Sequence, residues 1–312
     1  MPLVSIIMNV RNGAAFLGEA LDSVMAQTFT NWELIVWDDC STDESAKIVS
    51  GYCHRDHRIR YFLSPDETPL GEARNRAIQQ AAGEWLAFLD QDDIWLPRKL
   101  ESQMALADHN DEVGLIYGRT VLFNSRRGDL RDYDYAHEFQ LLPEGNIFAA
   151  LFRDACFIAM SSAVLRRSAV AAVGGIPDTI QVVPDYYLYI AIARSYQARA
   201  VQQVVSRYRI HPDSMSASHQ HRLRLHAEPL AIVKQWAECL DPRIATYRRM
   251  TYSTVLALEE MRERHTSQAG LRRLLSDGSS LWLISRPFVR AWRKLRRQLQ
   301  RPYWRKRQLS GE

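Results

Sequence analysis

Four short apolar runs, at 3–10 (LVSIIMNV), 33–38 (ELIVWD), 58–63 (RIRYFL) and 85–89 (WLAFL), alternate with helical patterns at 14–26, 43–53 and 72–82. Strands that are apolar on both faces must be covered on both faces. A single helix between successive strands does this when the strands run parallel and each crossover is right-handed. The repeat of about 25 to 30 residues fits βαβ units. The pattern therefore predicts an α/β fold: an open, twisted, mostly parallel sheet flanked by helices. A capping box, Ser41-x-x-Glu44, is expected to start the second helix.

Further along, 114–123 reads as a strand and 124–145 as a long polar loop or small insertion. Strands are expected at 159–166 and 199–209, with a helix at 185–195. After Ser218 the chain turns helical, at 219–238, 243–265, 268–276 and 285–300. The expected organisation is a domain over 1–218, with halves 1–110 and 111–218, followed by a helical C-terminal region over 219–312.

In open α/β sheets, ligands bind beyond the carboxyl ends of the strands. Three polar clusters fall there: Asn9, Arg11, Asn12 and Gly13 after the first strand, Asp38 to Ser41 after the second, and Asp90, Gln91, Asp92 and Asp93 after the fourth. Neither GxGxxG nor GxxxxGK[ST] occurs, so no Gly-rich loop cradles phosphates and a dinucleotide-dependent redox enzyme is disfavoured. The aspartates of DQDD repel one another unless something neutralises them. A solvated turn capping the helix expected around 97–109 would serve, with Asp93 as the cap. So would Mg²⁺ or Mn²⁺, held by one or two carboxylates and completed by phosphate and water.

The stretches VSIIMNVRNGAAFLGEALDSVMAQTFTNWELIVWDDCSTDES (4–45) and PLGEARNRAIQQAAGEWLAFLDQDDIWLPRKL (69–100) closely resemble the nucleotide-diphospho-sugar-binding half of family 2 glycosyltransferases, which have the GT-A fold. The resemblance implies that Asp39 accepts a hydrogen bond from the base's ring N–H. Asn9 and Arg11 stand where the family places further base contacts, commonly Pro or Thr and then Tyr. Arg74 in GEARN is implied to approach the nucleotide. Asp90 and Asp92 match the DxD motif, with Asp92 the metal ligand and Asp90 facing the ribose or a metal-bound water.

VGGIPDTIQVVPDYYLYIAIAR (173–194) is similar to the family's acceptor-side segment, which makes Asp185 the catalytic base and Asp178 the fallback. The family commonly has Glu before this Asp and an acid two residues after it; here those positions hold Pro184 and Tyr187. YRIHPDSMSAS (208–218) resembles the segment that closes the site, with His211 a metal or phosphate contact. Trp32, Trp37 and Trp95 are expected to pack in the core.

The resemblance implies an inverting, Mn²⁺- or Mg²⁺-dependent hexosyltransferase. It would move a sugar from a nucleoside-diphosphate donor to a glycan or lipid-linked glycan, in cell-surface polysaccharide or glycolipid synthesis. The alternative is a non-catalytic binding or scaffold subunit of a polysaccharide assembly system. A sugar nucleotidyltransferase would need a Gly- and basic-rich loop after the first strand, where only Arg11 is basic.

From Gly278 to the end there are ten Lys or Arg against one acid, Glu312, which leaves 30 basic and 35 acidic residues before it. Residues 281–307 place Leu281, Phe288, Trp292, Leu295 and Leu299 at helical spacing among arginines and lysines. That segment reads as a basic amphipathic helix on an anionic membrane surface, with a helix packed on the body as the other option and nucleic acid not expected. The four cysteines lack CxxC spacing and read as reduced thiols. With no basic leader, the expected location is cytoplasmic, peripheral on the inner face of the cytoplasmic membrane.

Overall fold

The computed structural model describes residues 2–263, apart from 108–111, 125–127, 135, 137–138, 155, 212–213, 216–220 and 222. By internal contacts the chain has two units, Met1–Arg249 and Met250–Glu312. In the first, the order is β1 (Val4–Val10), α1 (Ala14–Met25), β2 (Trp32–Asp38), α2 (Ser45–Cys53), β3 (Ile59–Leu63), α3 (Leu70–Gln79), β4 (Trp85–Phe88), β5 (Ile94–Trp95) and α4 (Lys99–Met104). There follow β6 (Val113–Asn124), β7 (Gly128–Asp134), α5 (Phe148–Arg153), a 3₁₀ turn Met160–Ser162, β8 (Val164–Arg166), α6 (Arg167–Ala172), α7 (Pro184–Ala193), β9 (Gln197–Arg209) and α8 (Arg224–Gln235). Helix α9, Pro242–Glu263, runs on into the second unit. The expected helices at 268–276 and 285–300 lie outside the described residues.

The sheet is ordered β3-β2-β1-β4-β8-β6-β9-β5, with β7 paired on β6. Its first four strands run parallel. Antiparallel pairing enters with β8, which joins β4 to β6. Burial explains the order. All seven residues of β2 are buried, and only a central strand covered on both faces meets that condition. Val4, Ile6, Met8 and Val10 of β1 join Leu34 and Val36 of β2 in one core with Leu17, Leu21 and Val24 of α1. Those helix residues recur at helical spacing, so α1 turns one stripe to the sheet. Each fully buried Leu contributes about 1.5–3 kcal/mol, and Leu21→Ala would cost about 2–5 kcal/mol. Helix α3 packs on β1 and β2 with Ala73 and Ala77 buried.

Three local expectations are corrected. The capping box does not form: α2 begins at Ser45, whose N–H donates to Asp43 Oδ1 at 3.0 Å, while Ser41 Oγ accepts the Asn12 N–H at 2.9 Å. A carboxylate two residues upstream outcompetes the Ser/Glu box. Within the expected loop at 124–145 lies β7, which extends the long β6 as a hairpin. The expected strand at 159–166 is a 3₁₀ turn followed by the three-residue β8. As expected, Trp32, Trp37 and Trp95 are buried, and all four cysteines are free.

Candidate active site

The loops after β1, β2 and β4 meet at the carboxyl edge of the sheet and are tied together by side chains. Arg11 N–H donates to Gln91 Oε1 at 2.9 Å, and Gln91 Nε2 returns a bond to the Arg11 carbonyl at 3.1 Å. Asn12, at φ 48°, accepts the Thr42 N–H on Oδ1 at 2.8 Å. A Cβ on Gly13 would sit 2.3 Å from Gln91 Oε1, so a side chain there would push the Gln91 amide off its Arg11 partners.

At the end of β2, Asp38 is buried and accepts the Ser41 N–H at 2.8 Å and the Tyr61 hydroxyl at 2.7 Å. It shapes the turn, with burial and Asp38 together pushing the Tyr61 phenol up. Asp39 is also buried: Oδ1 accepts the Thr68 N–H at 3.1 Å and hydroxyl at 3.0 Å. Arg11 donates to the Asp39 carbonyl at 3.0 Å and pairs with Glu67 at 2.6 Å. Asn9 behaves differently. Its side-chain nitrogen is buried without a hydrogen-bond partner, as is the indole N–H of Trp37, its register neighbour on β2.

The DQDD loop divides its three aspartates. Asp90 accepts from Arg74 Nη2 at 2.9 Å. Its side chain keeps 36% of its surface exposed, against 5% for Arg74. Burial pushes its carboxyl up, Arg74 opposes this, and the nearby Asp92 and Asp185 reinforce it. Asp92 Oδ2 lies 2.9 Å from His211 Nε2, and His211 Nδ1 is buried without a partner. Asp93 is not a helix cap, contrary to expectation. It is 1% exposed, accepting the Ser161 hydroxyl at 2.5 Å and the Arg209 N–H at 2.9 Å. Burial drives its carboxyl well up, helped by the charges of Asp90 and Asp92.

Asp185 follows Pro184 in the first turn of α7, where an acid is favoured by the helix dipole. Its Oδ1 accepts the Tyr186 N–H at 2.8 Å. Burial raises its carboxyl and the Arg74 charge partly offsets that. Arg74 thus acts on Asp90 and Asp185 together. The rest of GEARN braces the approach to α7: Asn75 bonds both backbone groups of Ile176, at 2.7 and 3.1 Å. The preceding Gly174 and Gly175 have φ of 79° and 71°, which glycine adopts at no steric cost. Asp178 is exposed.

The structure therefore groups Arg74, Asp90, Asp92, Asp185 and His211 on one side, and Arg11 with Asp39 on the other. Sequence reasoning placed Gln91 in a cluster without giving it a role, and missed Ser161, Glu67, Arg209 and Glu228. Glu228, buried on α8, accepts the N–H groups of Val182 and Val183 at 2.9 and 3.1 Å, just before Asp185. Of these, Arg209 left a trace: it is the last residue of the strand expected at 199–209. Among the described residues, no three His, Cys, Asp or Glu side chains converge on a metal site, and no helix is long and apolar enough to cross a membrane.

The family described as glycosyl transferase family 2 matches residues 5–174. Over 220 residues the chain is 30% identical to UDP-Glc:alpha-D-GlcNAc-diphosphoundecaprenol beta-1,3-glucosyltransferase WfgD of Escherichia coli, covering 69% of this chain and 80% of that protein. Other relatives are longer: the chain spans 33% of an uncharacterized glycosyltransferase of Rickettsia felis, at 32% identity over 208 residues and 66% of this chain. Among solved structures, S. aureus TarS 1–349 with UDP-GlcNAc is similar at TM-score 0.63 and 18% identity, over 86% of this chain and 74% of that one. The mannosyltransferase PcManGT of Pyrobaculum calidifontis with GDP-Man and Mn²⁺ is similar at TM-score 0.57 and 18% identity, over 93% and 83%. At such identities the likeness to solved structures concerns the GT-A fold.

Proposed function

This chain belongs to glycosyl transferase family 2, and on that premise we propose that it transfers a sugar from a nucleoside-diphosphate donor, with inversion and with help from a divalent cation. The observation that carries the reading is the grouping of Asp90, Asp92, Arg74, His211 and Asp185 at one edge of the sheet, beside the Asp39–Arg11 pocket. In this reading Asp39 accepts the base's ring N–H and Arg11 closes over the base, with Asn9 beneath them. Asp90, held by Arg74, faces the ribose.

The donor set suits Mn²⁺ or Mg²⁺. Asp92 and Asp185 help raise the Asp90 carboxyl, Asp90 and Asp92 help raise that of Asp93, and the Arg74 charge opposes the rise at Asp90 and Asp185. His211 Nδ1 is buried without a hydrogen-bond partner, so that ring keeps one unused nitrogen. Asp92 and His211 would hold the ion, and the protein's two ligands leave positions for diphosphate oxygens and water, as these hard cations require. A bound cation would offset the negative charge that grows on the leaving diphosphate.

Asp185 accepts the proton of the acceptor hydroxyl as its oxygen bonds to the anomeric carbon, while the bond to the diphosphate oxygen breaks on the opposite face. One displacement inverts the anomeric centre. The burial that raises the Asp185 carboxyl makes it a stronger base than a solvated aspartate.

The acceptor in this proposal is a glycan or lipid-linked glycan, as the name of WfgD states for that relative. Such an acceptor favours a cytoplasmic enzyme lying on the membrane through the basic segment 281–307, which is outside the described residues. The proposed division is a transferase domain over 1–218 and a helical region over 219–312. A thermal-shift screen of UDP-, GDP- and dTDP-sugars, with Mn²⁺ and with EDTA, tests the reading. Metal-dependent stabilisation by one nucleotide supports it and names the base; no metal-dependent shift with any of them overturns it. Donor hydrolysis that Asp185→Asn does not slow would favour a non-catalytic binding subunit.

A further inference from the structure

The end of β9 grips one residue of the DQDD loop at two points. Arg209 is the last residue of β9 and His211 follows two positions on, and both side chains reach Asp92. Arg209 Nε donates to the Asp92 carbonyl at 2.7 Å, while His211 Nε2 meets the Asp92 carboxylate at 2.9 Å. The Arg209 backbone N–H adds a bond to Asp93 Oδ1 at 2.9 Å.

The guanidinium is built into place from two further elements, α1 and β6. It lies between the rings of Phe16 on α1 and Phe123 on β6, 4.5 Å from each centroid. Nη2 reaches Glu19 of α1 at 3.0 Å. The same Phe16 ring stands 4.8 Å from the His211 ring. Arg209 is 1% exposed, and burying a charge so fully carries a large desolvation cost. A methionine would fill the space between two rings without that cost, so packing alone does not account for a guanidinium here. What the guanidinium adds is its planar fork, which bonds the Asp92 carbonyl and Glu19 at once.

We propose that Arg209 is a positioning residue for the cation site: it fixes the Asp92 backbone, and Phe16 aligns the guanidinium and the His211 ring together, so that the Asp92 carboxylate faces the cleft. The proposal rests on the reading of Asp92 as a cation ligand. It predicts that affinity for the divalent ion depends on a side chain that never touches it.

The test uses the full chain and measures Mn²⁺ binding from the electron paramagnetic resonance signal of free Mn²⁺, with saturating UDP and, in parallel, GDP. Arg209→Lys keeps the charge but loses the fork, and its apparent Kd for Mn²⁺ is expected to rise about 10- to 100-fold. Nucleotide affinity in EDTA should stay at the wild-type value, a split that a general loss of structure would not produce. Phe16→Leu should raise the Mn²⁺ Kd by a smaller factor, and decides the matter if Arg209→Lys fails to fold. A Mn²⁺ Kd within about twofold of wild type in the folded variant overturns the proposal, since outer partners of metal ligands ordinarily cost more than that. Asp92→Asn separates the two levels. If it binds Mn²⁺ like wild type, the reading of Asp92 falls; if it abolishes binding while Arg209→Lys does not weaken it, only the positioning role falls.

Discussion

Replacing Ser161 with alanine should damage both the stability of the fold and the site above it. Ser161 is fully buried in the 3₁₀ turn before β8. Its hydroxyl donates to Asp93 Oδ2 at 2.5 Å and accepts the Asp90 N–H at 3.2 Å, so one oxygen serves both ends of the DQDD loop. Its carbonyl bond to Trp95 Nε1, at 2.7 Å, survives the substitution. The lost bond to the Asp93 carboxyl is worth about 1.5–3 kcal/mol and the longer one to Asp90 about 1 kcal/mol. The void left by one oxygen is too small to admit a replacement water. The total is about 2–4 kcal/mol, which at a urea slope of about 2–3 kcal/mol/M lowers the unfolding midpoint by about 1 M. Urea titration of both proteins, followed by tryptophan fluorescence, reads this directly. A midpoint shift below about 0.2 M would refute the claim that Ser161 anchors the loop.

Three other outcomes follow from the same geometry. Lys99 is 1% exposed, bonded to Gln103 at 2.6 Å and set 4.1 Å over the Trp95 ring, and burial pushes its ammonium well down. The unfolded chain therefore binds more protons than the native one between that lowered value and about 10.4, so stability rises with pH across the window, by up to about 1.4 kcal/mol per pH unit. Lys99→Met should remove that slope, and parallel urea-derived stability profiles for the two proteins would show that Lys99 stays charged. Asp39→Asn should raise the nucleotide Kd about 10- to 100-fold in calorimetric titration, the worth of a charge-assisted hydrogen bond. Glu228→Ala frees the N–H groups of Val182 and Val183 ahead of α7. It should cut kcat by up to about 100-fold by shifting Asp185 while leaving nucleotide affinity intact, and an unchanged kcat would count against α8 as the brace of that helix.

The first half of the fold was readable because its strands are apolar runs needing cover on both faces; β1 to β4 fall within about two residues of where the pattern puts them. Strand β7 was not, since its sequence, GDLRDYD, is polar and its pairing partner lies on β6. The DQDD cluster, Asp39, Arg74 and Asp185 stand out as chemistry-bearing residues in short motifs at strand and helix ends. The residues that orient them do not. Ser161 meets Asp93 across 68 positions and Arg209 meets Asp92 across 117, contacts that no local periodicity encodes. Asp93 illustrates the difference: its neighbours in sequence suggest a cap, whereas the partners that bury it come from the other half of the sheet.

The central claim is that Asp185 takes the acceptor's proton at a site where Asp92 helps hold the donor. The most direct measurement is nucleoside diphosphate release from the donor selected by thermal shift, in wild type and Asp185→Asn, alongside the donor affinity of each. The account predicts wild-type donor affinity for Asp185→Asn and turnover reduced by about 10²–10⁴-fold, the range for removing a general base. An Asp185→Asn protein that binds donor normally and turns it over within about threefold of the wild-type rate would contradict it.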